Sequence, residues 1–119
     1  MSMHSRIRME LPTGEVKSSY CRGGDPDHMR PLLKRYYNTT EKVEELLDLG
    51  ALSVLRSRVK ADPGETHTFN NSLPDVTIAY ARDRGEKLEL GCDERGHYDY
   101  VWNGKRWYLQ VDTKIRLAL

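Results

Sequence analysis

The last third of the chain, Tyr98-Asp-Tyr-Val-Trp-Asn-Gly-Lys-Arg-Trp-Tyr-Leu-Gln-Val111, constrains the fold more than any other segment. Two aromatic-rich runs flank Asn103-Gly104, and Asn-Gly suits a type I′ turn in which both central residues take positive φ. A two-residue loop there sets Trp102 opposite Lys105, Tyr100 opposite Trp107 and Tyr98 opposite Leu109. The period of two then gathers these residues on one side, with Asp99, Val101, Arg106, Tyr108 and Gln110 on the other. Phe69 is the single Phe, so the core must draw on Tyr and Trp, and the Tyr100–Trp107 side is predicted to be buried.

The start of the chain also alternates: Ile7, Met9 and Leu11 share one side, Arg8 and Glu10 the other. Pro12-Thr13-Gly14-Glu15 supplies a turn, and Val16, Ser18 and Tyr20 continue the pattern. A Thr13-Gly14 loop pairs Leu11 with Val16, Met9 with Ser18 and Ile7 with Tyr20. Arg22 to Asp27 reads as a loop. From about His28 the spacing of Met29, Leu32, Leu33 and Tyr36 is helical, with Pro31 expected in the first turn.

Asn38, Thr39 or Thr40 caps a second helix that turns Val43, Leu46 and Leu47 inward, and Gly50 is expected to end it in the left-handed conformation. Ala51 to Arg58 reads as a short third helix. Residues 61–75 carry only loop signals, a length that points to function or mobility. Val76 to Arg82 has little polarity on either face and reads as a central strand, with Lys87 to Leu90 as its partner after the Asp83–Glu86 turn. Ile115, Leu117 and Leu119 alternate as a last edge strand.

These elements predict a single α+β domain over residues 1–119. An antiparallel sheet of about five or six strands carries two or three helices, from an insert at about 28–58, on one face. Nineteen Lys and Arg against eighteen Asp and Glu leave a charge of +1, which gives no general attraction to nucleic acid or to an anionic membrane. No long apolar stretch or signal-peptide core is present. Two separated cysteines without such a signal suggest reduced thiols and a cytoplasmic setting.

The chemistry-bearing residues yield several weak arrangements. Cys21, His28, Cys92 and His97 are the right types for zinc but lack a tight Cys-x₂-Cys pair, so the plainer expectation is no metal and no cofactor. Cys21 with His67 or His97 and Asp25 has no spacing that fixes a thiolate beside a base. Lys34, Arg35, Arg56, Arg58 and Lys60 are basic, but the acidic helix face Glu41, Glu44, Glu45 and Asp48 interrupts any nucleic-acid footprint. That acidic face reads first as solvated surface and second as a partner surface. The aromatics Tyr37, Tyr98, Tyr100, Trp102 and Trp107 are core candidates before they are stacking platforms. Sharper is Arg82-Asp83-Arg84-Gly85-Glu86, where two guanidiniums on one turn suit a phosphate or a carboxylate. Its plain alternative is an ion-paired turn in which Asp83 and Glu86 neutralise the arginines.

Ile7-Arg-Met-Glu-Leu-Pro-Thr-Gly14, Ser19-Tyr-Cys21, Leu33-Lys-Arg-Tyr-Tyr-Asn-Thr-Thr-Glu-Lys-Val43, Leu47-Asp-Leu-Gly-Ala-Leu-Ser53 and Ala79-Tyr-Ala-Arg-Asp-Arg-Gly-Glu86, in that order, span most of the chain. The combination resembles a family of small proteins of tailed bacteriophages and prophages. Members continue the Tyr-Cys strand with a His-Trp-Asp-Gly-Tyr type of segment, where this chain reads Arg22-Gly23-Gly24-Asp25. The resemblance implies an accessory role rather than a defined reaction. The partner would be a host protein or protein–nucleic-acid complex, such as a defence or nucleic-acid-processing complex, and Tyr20, Cys21, Arg82, Asp83, Arg84 and Glu86 are the carried-over ligand- or partner-binding positions. The second expectation is binding or turnover of a phosphate-bearing ligand, a nucleotide or a nucleic acid end, through the Arg82–Glu86 turn.

Overall fold

A computed structural model describes residues 4–119 of the chain. Its elements run β1 (His4–Glu10), β2 (Val16–Arg22), α1 (Pro26–Tyr36), α2 (Thr40–Leu47), β3 (Leu52–Val54), β4 (Ile78–Ala79), α3 (Tyr80–Arg84), β5 (Tyr98–Trp102), β6 (Trp107–Gln110) and β7 (Arg116–Ala118). The strands form one seven-stranded sheet in the order β4-β3-β2-β1-β5-β6-β7. The architecture is α+β as expected, but the sheet is mixed and has more strands than expected: β1 pairs parallel with β5, and β2 parallel with β3. Parallel neighbours need a crossover, and α1 with α2 is the crossover between β2 and β3.

Helices α1 and α2 cover one face. Met29 and Leu33 of α1, the adjoining Tyr37, and Val43, Leu46 and Leu47 of α2 share the core with Ile7, Met9, Cys21, Tyr100, Trp102 and Trp107. Asp25 caps α1 through its side chain, with Pro26 in the first turn, so Pro31 falls in the second turn rather than the first. Thr39 caps α2 by accepting from the Lys42 N–H, and Gly50 follows with φ 76°.

The expected third helix is absent, and Leu52–Val54 is instead strand β3. The expected central strand at 76–82 is a two-residue strand at the sheet edge that runs directly into α3. Short apolar runs do not distinguish helix from strand, nor an interior strand from a covered edge. Here Val76 to Ala79 is buried because residues 56–58 lie over that edge: Thr77 N–H donates to Arg58 O at 2.8 Å, and Arg56 N–H to Thr77 Oγ1 at 3.0 Å. Lys87 to Leu90 forms no strand, and Leu88 and Leu90 are exposed.

Both hairpins form with registers other than expected. In the first, Leu11 N–H donates to Glu15 O and Gly14 N–H to Leu11 O, so three residues form the loop, with Gly14 at φ 91°. A three-residue loop with glycine in the left-handed position replaces the two-residue turn. Ile7 therefore pairs with Ser19 and Met9 with Lys17. A slip of one residue exchanges the faces of a strand, so Ser19 and Cys21 point to the core while Ser18 and Tyr20 point away. In the second hairpin Asn103 Oδ1 accepts the N–H groups of Lys105 and Arg106, which lengthens the loop and pairs Trp102 with Trp107 and Tyr100 with Leu109. That slip is two residues, which preserves the faces, and Tyr100, Trp102 and Trp107 are buried as expected.

Candidate functional site

The face of the sheet opposite α1 and α2 is built from the alternate positions of the same strands. Arg6, Arg8 and Glu10 project from β1, Asp99 from β5, Gln110 from β6 and Arg116 from β7, in line with the register Arg6–Asp99 and Gln110–Arg116. The connection from α3 to β5 crosses this face over β2. Ser18 Oγ accepts the Cys92 N–H at 2.8 Å, and Gly91 N–H donates to Ser18 O at 3.0 Å. This crossing delivers Arg95, whose Nη2 donates to Gln110 O at 2.6 Å.

Together these segments enclose a cleft of about 360 Å³ lined by Arg6, Arg8, Arg95 and Arg116, with Glu10, Asp99 and Asp112 as its acidic members. Asp99 is its anchor, with 1% exposure. Arg6 donates to it twice, Nε to Oδ1 at 3.0 Å and Nη2 to Oδ2 at 2.7 Å, and Arg8 Nη2 donates to Oδ2 at 3.2 Å. A buried carboxylate is tolerable only when it is paired and hydrogen-bonded in this way. Arg6 also reaches the carbonyls of Cys92 and Asp93, and its hydrogen bonds to Asp99 raise its pKa further. Glu10 accepts from Arg8 on one oxygen and from Arg116 Nη2 on the other at 3.1 Å. The Asp112 carboxyl accepts the N–H groups of Lys114 and Ile115, which hold it below its usual range.

The acceptors of the cleft do not satisfy its donors. Arg8 Nε and Arg95 Nε are buried and have no hydrogen-bond partner, and among the described residues they are the buried side-chain polar atoms left in that state. Buried polar groups in folded proteins are ordinarily paired. Four guanidiniums against three carboxylates leave a formal excess of one positive charge.

The positions expected from sequence are distributed differently. Arg82 is committed internally: Nε and Nη2 donate to Asp83, Nη1 to Val59 O at 2.6 Å, and Nη2 also to Thr77 O at 2.7 Å. Burial pushes the Asp83 carboxyl up, but hydrogen bonds from Arg82 and the Ala79 N–H outweigh it and leave the group below its usual range. His67 Nδ1 accepts the Leu73 N–H, which leaves Nε2 to donate to Asp83 at 3.2 Å. Asp83 thus ties α3 to the long loop. Arg84 faces outward over the Phe69 ring and pairs with Glu86.

Tyr20 and Glu86 meet at a separate hollow with Tyr80, Lys87 and Glu89. Cys21 lies on the other face of the sheet from Tyr20, in the core, and burial pushes its thiol up to about 12. The structure therefore unites Tyr20 with Glu86, and Arg82 with Asp83, but does not gather the six positions into one site. The zinc-type set is also separated, since Cys21 points to the core and Cys92 to the opposite face. Among the described residues no group of three or more His, Cys, Asp or Glu is placed to hold a metal ion.

Sequence reading missed the cleft, although one signal was available. Asp99 is an acidic residue inside an otherwise apolar aromatic strand, and such a residue requires a cationic partner on a neighbouring strand. A scan against protein-family models finds no match, and searches of curated proteins and of solved structures likewise find none.

Proposed function

We propose that this chain is a non-enzymatic accessory protein of a tailed phage or mobile element, and that it binds a host macromolecule by drawing an anionic group of that partner into the arginine cleft. The observation that carries the reading is the convergence of four arginines from three segments on one cleft with a formal excess of positive charge. Guanidinium groups are well suited to carboxylate and phosphate oxygens because their donors are charged and planar. The resemblance of the chain to tailed-phage proteins supports the setting. A host defence or nucleic-acid-processing complex fits as the partner, and the host cytoplasm as the place of action.

Turnover through a thiolate nucleophile is disfavoured by the state of the thiols. Burial pushes Cys21 up to about 12 and also raises Cys92, so neither is primed as a thiolate at neutral pH. The helices are no obstacle to this setting: no helix among the described residues is long and apolar enough to cross a membrane.

The test is co-purification from host extract at low salt, with the parent and with an Arg8→Gln/Arg116→Gln double variant. A stoichiometric partner held by the parent and released by the variant is expected. A partner held equally by both, or none recovered by the parent, refutes the reading.

A further inference from the structure

Resting on that reading, we infer that the group accepted by the cleft is a terminal phosphate, a phosphate monoester carried by the partner, and not a continuous polyanion backbone or a side-chain carboxylate. The first argument is geometric. The cationic donors come from three separate segments: Arg6 and Arg8 from β1, Arg95 from the connection before β5, and Arg116 from β7. A planar carboxylate takes donors in or near its own plane, as Asp99 does from Arg6 and Arg8. A tetrahedral phosphate presents three terminal oxygens and can accept from several arginines on different sides.

The second argument is charge. A monoester phosphate carries about −1.5 to −2 at neutral pH, against about −1 for a carboxylate, so it gains more from a cleft with unmatched guanidinium donors. The Asp112 carboxyl takes the N–H groups of Lys114 and Ile115 on Oδ1 and accepts no hydrogen bond from Arg95.

The third argument excludes a tracked backbone. A protein that follows a nucleic acid strand needs a basic stripe. Here Glu10 and Asp99 stand between the arginines. Elsewhere on the chain, Lys17 pairs with Glu44 and Asp48 of the acidic α2 surface and adds no free cation. A strand laid along this face would meet carboxylates, whereas a single phosphate on a side chain would not need to pass them. The cleft, at about 360 Å³, has room for the phosphate and the first atoms of its ester.

The carboxylates between the arginines favour the single phosphate of a phosphorylated protein side chain over a nucleic acid end, whose next phosphates would meet them, and titration calorimetry at low salt separates the two. The probes are a short 5′-phosphorylated oligonucleotide and a phosphoserine peptide, each beside its unphosphorylated counterpart, together with an acidic peptide lacking phosphate. We expect the phosphoserine peptide to bind at least tenfold more tightly than its counterpart, and an oligonucleotide whose 5′-phosphate gives that gain in its place overturns the protein source. Arg95→Gln and Arg116→Gln should each erase that difference while the circular dichroism spectrum and melting temperature of the free protein stay close to the parent. Arg8→Gln should do the same, and where it unfolds the protein the other two variants still decide.

An acidic peptide that binds as tightly as the phosphorylated probes overturns the phosphate assignment and leaves the anion-binding reading standing. Equal binding of phosphorylated and unphosphorylated probes, insensitive to the arginine variants, overturns it in favour of another surface. No binding of any anionic probe removes both.

Discussion

Replacing Asp99 by Ala is the most incisive perturbation of the charged face. The side chain is 1% exposed and receives three hydrogen bonds from Arg6 and Arg8, whose own side chains are 16% and 19% exposed. The substitution leaves two guanidiniums next to each other with their shared acceptor gone. Removing one member of a buried ion pair costs about 3–5 kcal/mol, and the residual solvent contact of both arginines places the expectation near the lower end, about 3 kcal/mol. Unfolding entropy of about 2.1 cal/mol/K per residue, over 119 residues, converts each kcal/mol into about 4 °C, so the melting temperature should fall by about 12 °C.

Calorimetry and denaturant titration at neutral pH measure this directly. A second readout identifies the cause: phosphate or sulfate should raise the melting temperature of the variant by more than that of the parent, because an anion can also take the place vacated by the carboxylate. A drop below about 4 °C, or a loss indifferent to added anion, would show that Arg6 and Arg8 do not depend on Asp99 for their placement. The account of the cleft as an arginine cluster held open around one buried carboxylate would then fail.

Trp107 and Tyr108 test the faces of the sheet: Trp107→Ala should cost about 3–5 kcal/mol, since the ring is 3% exposed and its Nε1 donates to Tyr37 O. Tyr108→Ala should cost under about 1 kcal/mol in the same denaturant titration, and the reverse ranking would invert the sheet. Asp83→Ala should destabilise by about 2 kcal/mol at neutral pH through loss of the Ala79 and Arg82 hydrogen bonds. Because the folded carboxyl lies below its unfolded value of about 3.9, this contribution is present above about pH 4 and is lost as pH falls through the folded value. Parent and variant stabilities should therefore converge in strong acid, and a difference that persists there contradicts the pairing. Gly24→Ala should cost at least about 2 kcal/mol by thermal denaturation, because Gly24 sits at φ 98° and an added Cβ would fall 2.1 Å from Ser5 Oγ. Survival of that variant with an unchanged melting temperature would mean the β2–α1 junction is not packed against β1.

What the sequence displayed and what it concealed divide along the range of the interactions. The aromatic face of β5 and β6, the alternation of β1, the two helices and the edge strand β7 all follow from local periodicity, although Tyr36, expected on the apolar face of α1, is exposed and the adjoining Tyr37 is buried instead. The first hairpin register was not legible, because Pro12-Thr13-Gly14 supports a two-residue or a three-residue loop with the same residues. The difference of one residue reversed the assignments of Ser18, Ser19, Tyr20 and Cys21. Leu52 to Val54 and Ile78 to Ala79 were not legible because a short apolar run fits a helix, an interior strand or a covered edge alike, and the cover at the Ile78 edge comes from residues 56–58. The parallel pairings were hidden for a related reason: no turn chemistry announces a partner 93 residues away, as between Ser5 and Tyr98, or 31, as between Cys21 and Leu52.

The charged cleft is the extreme case of that hidden range. In sequence, Arg6, Arg8 and Glu10 are the ordinary outward positions of an amphipathic strand, and Arg116 is one charge on an exposed edge. They become a site only because β5 inserts between β1 and β6 and carries Asp99 into the middle of them. Arg82 shows the converse. Its neighbours in sequence made it the most conspicuous cation, yet the fold surrounds its guanidinium with Asp83, Val59 O and Thr77 O and leaves it little to offer a ligand. A cation's capacity to bind depends on how far the fold has already satisfied its donors. By that measure Arg82 is ruled out, and the cleft in which Arg8 and Arg95 each keep an unpaired Nε is the surface to test first.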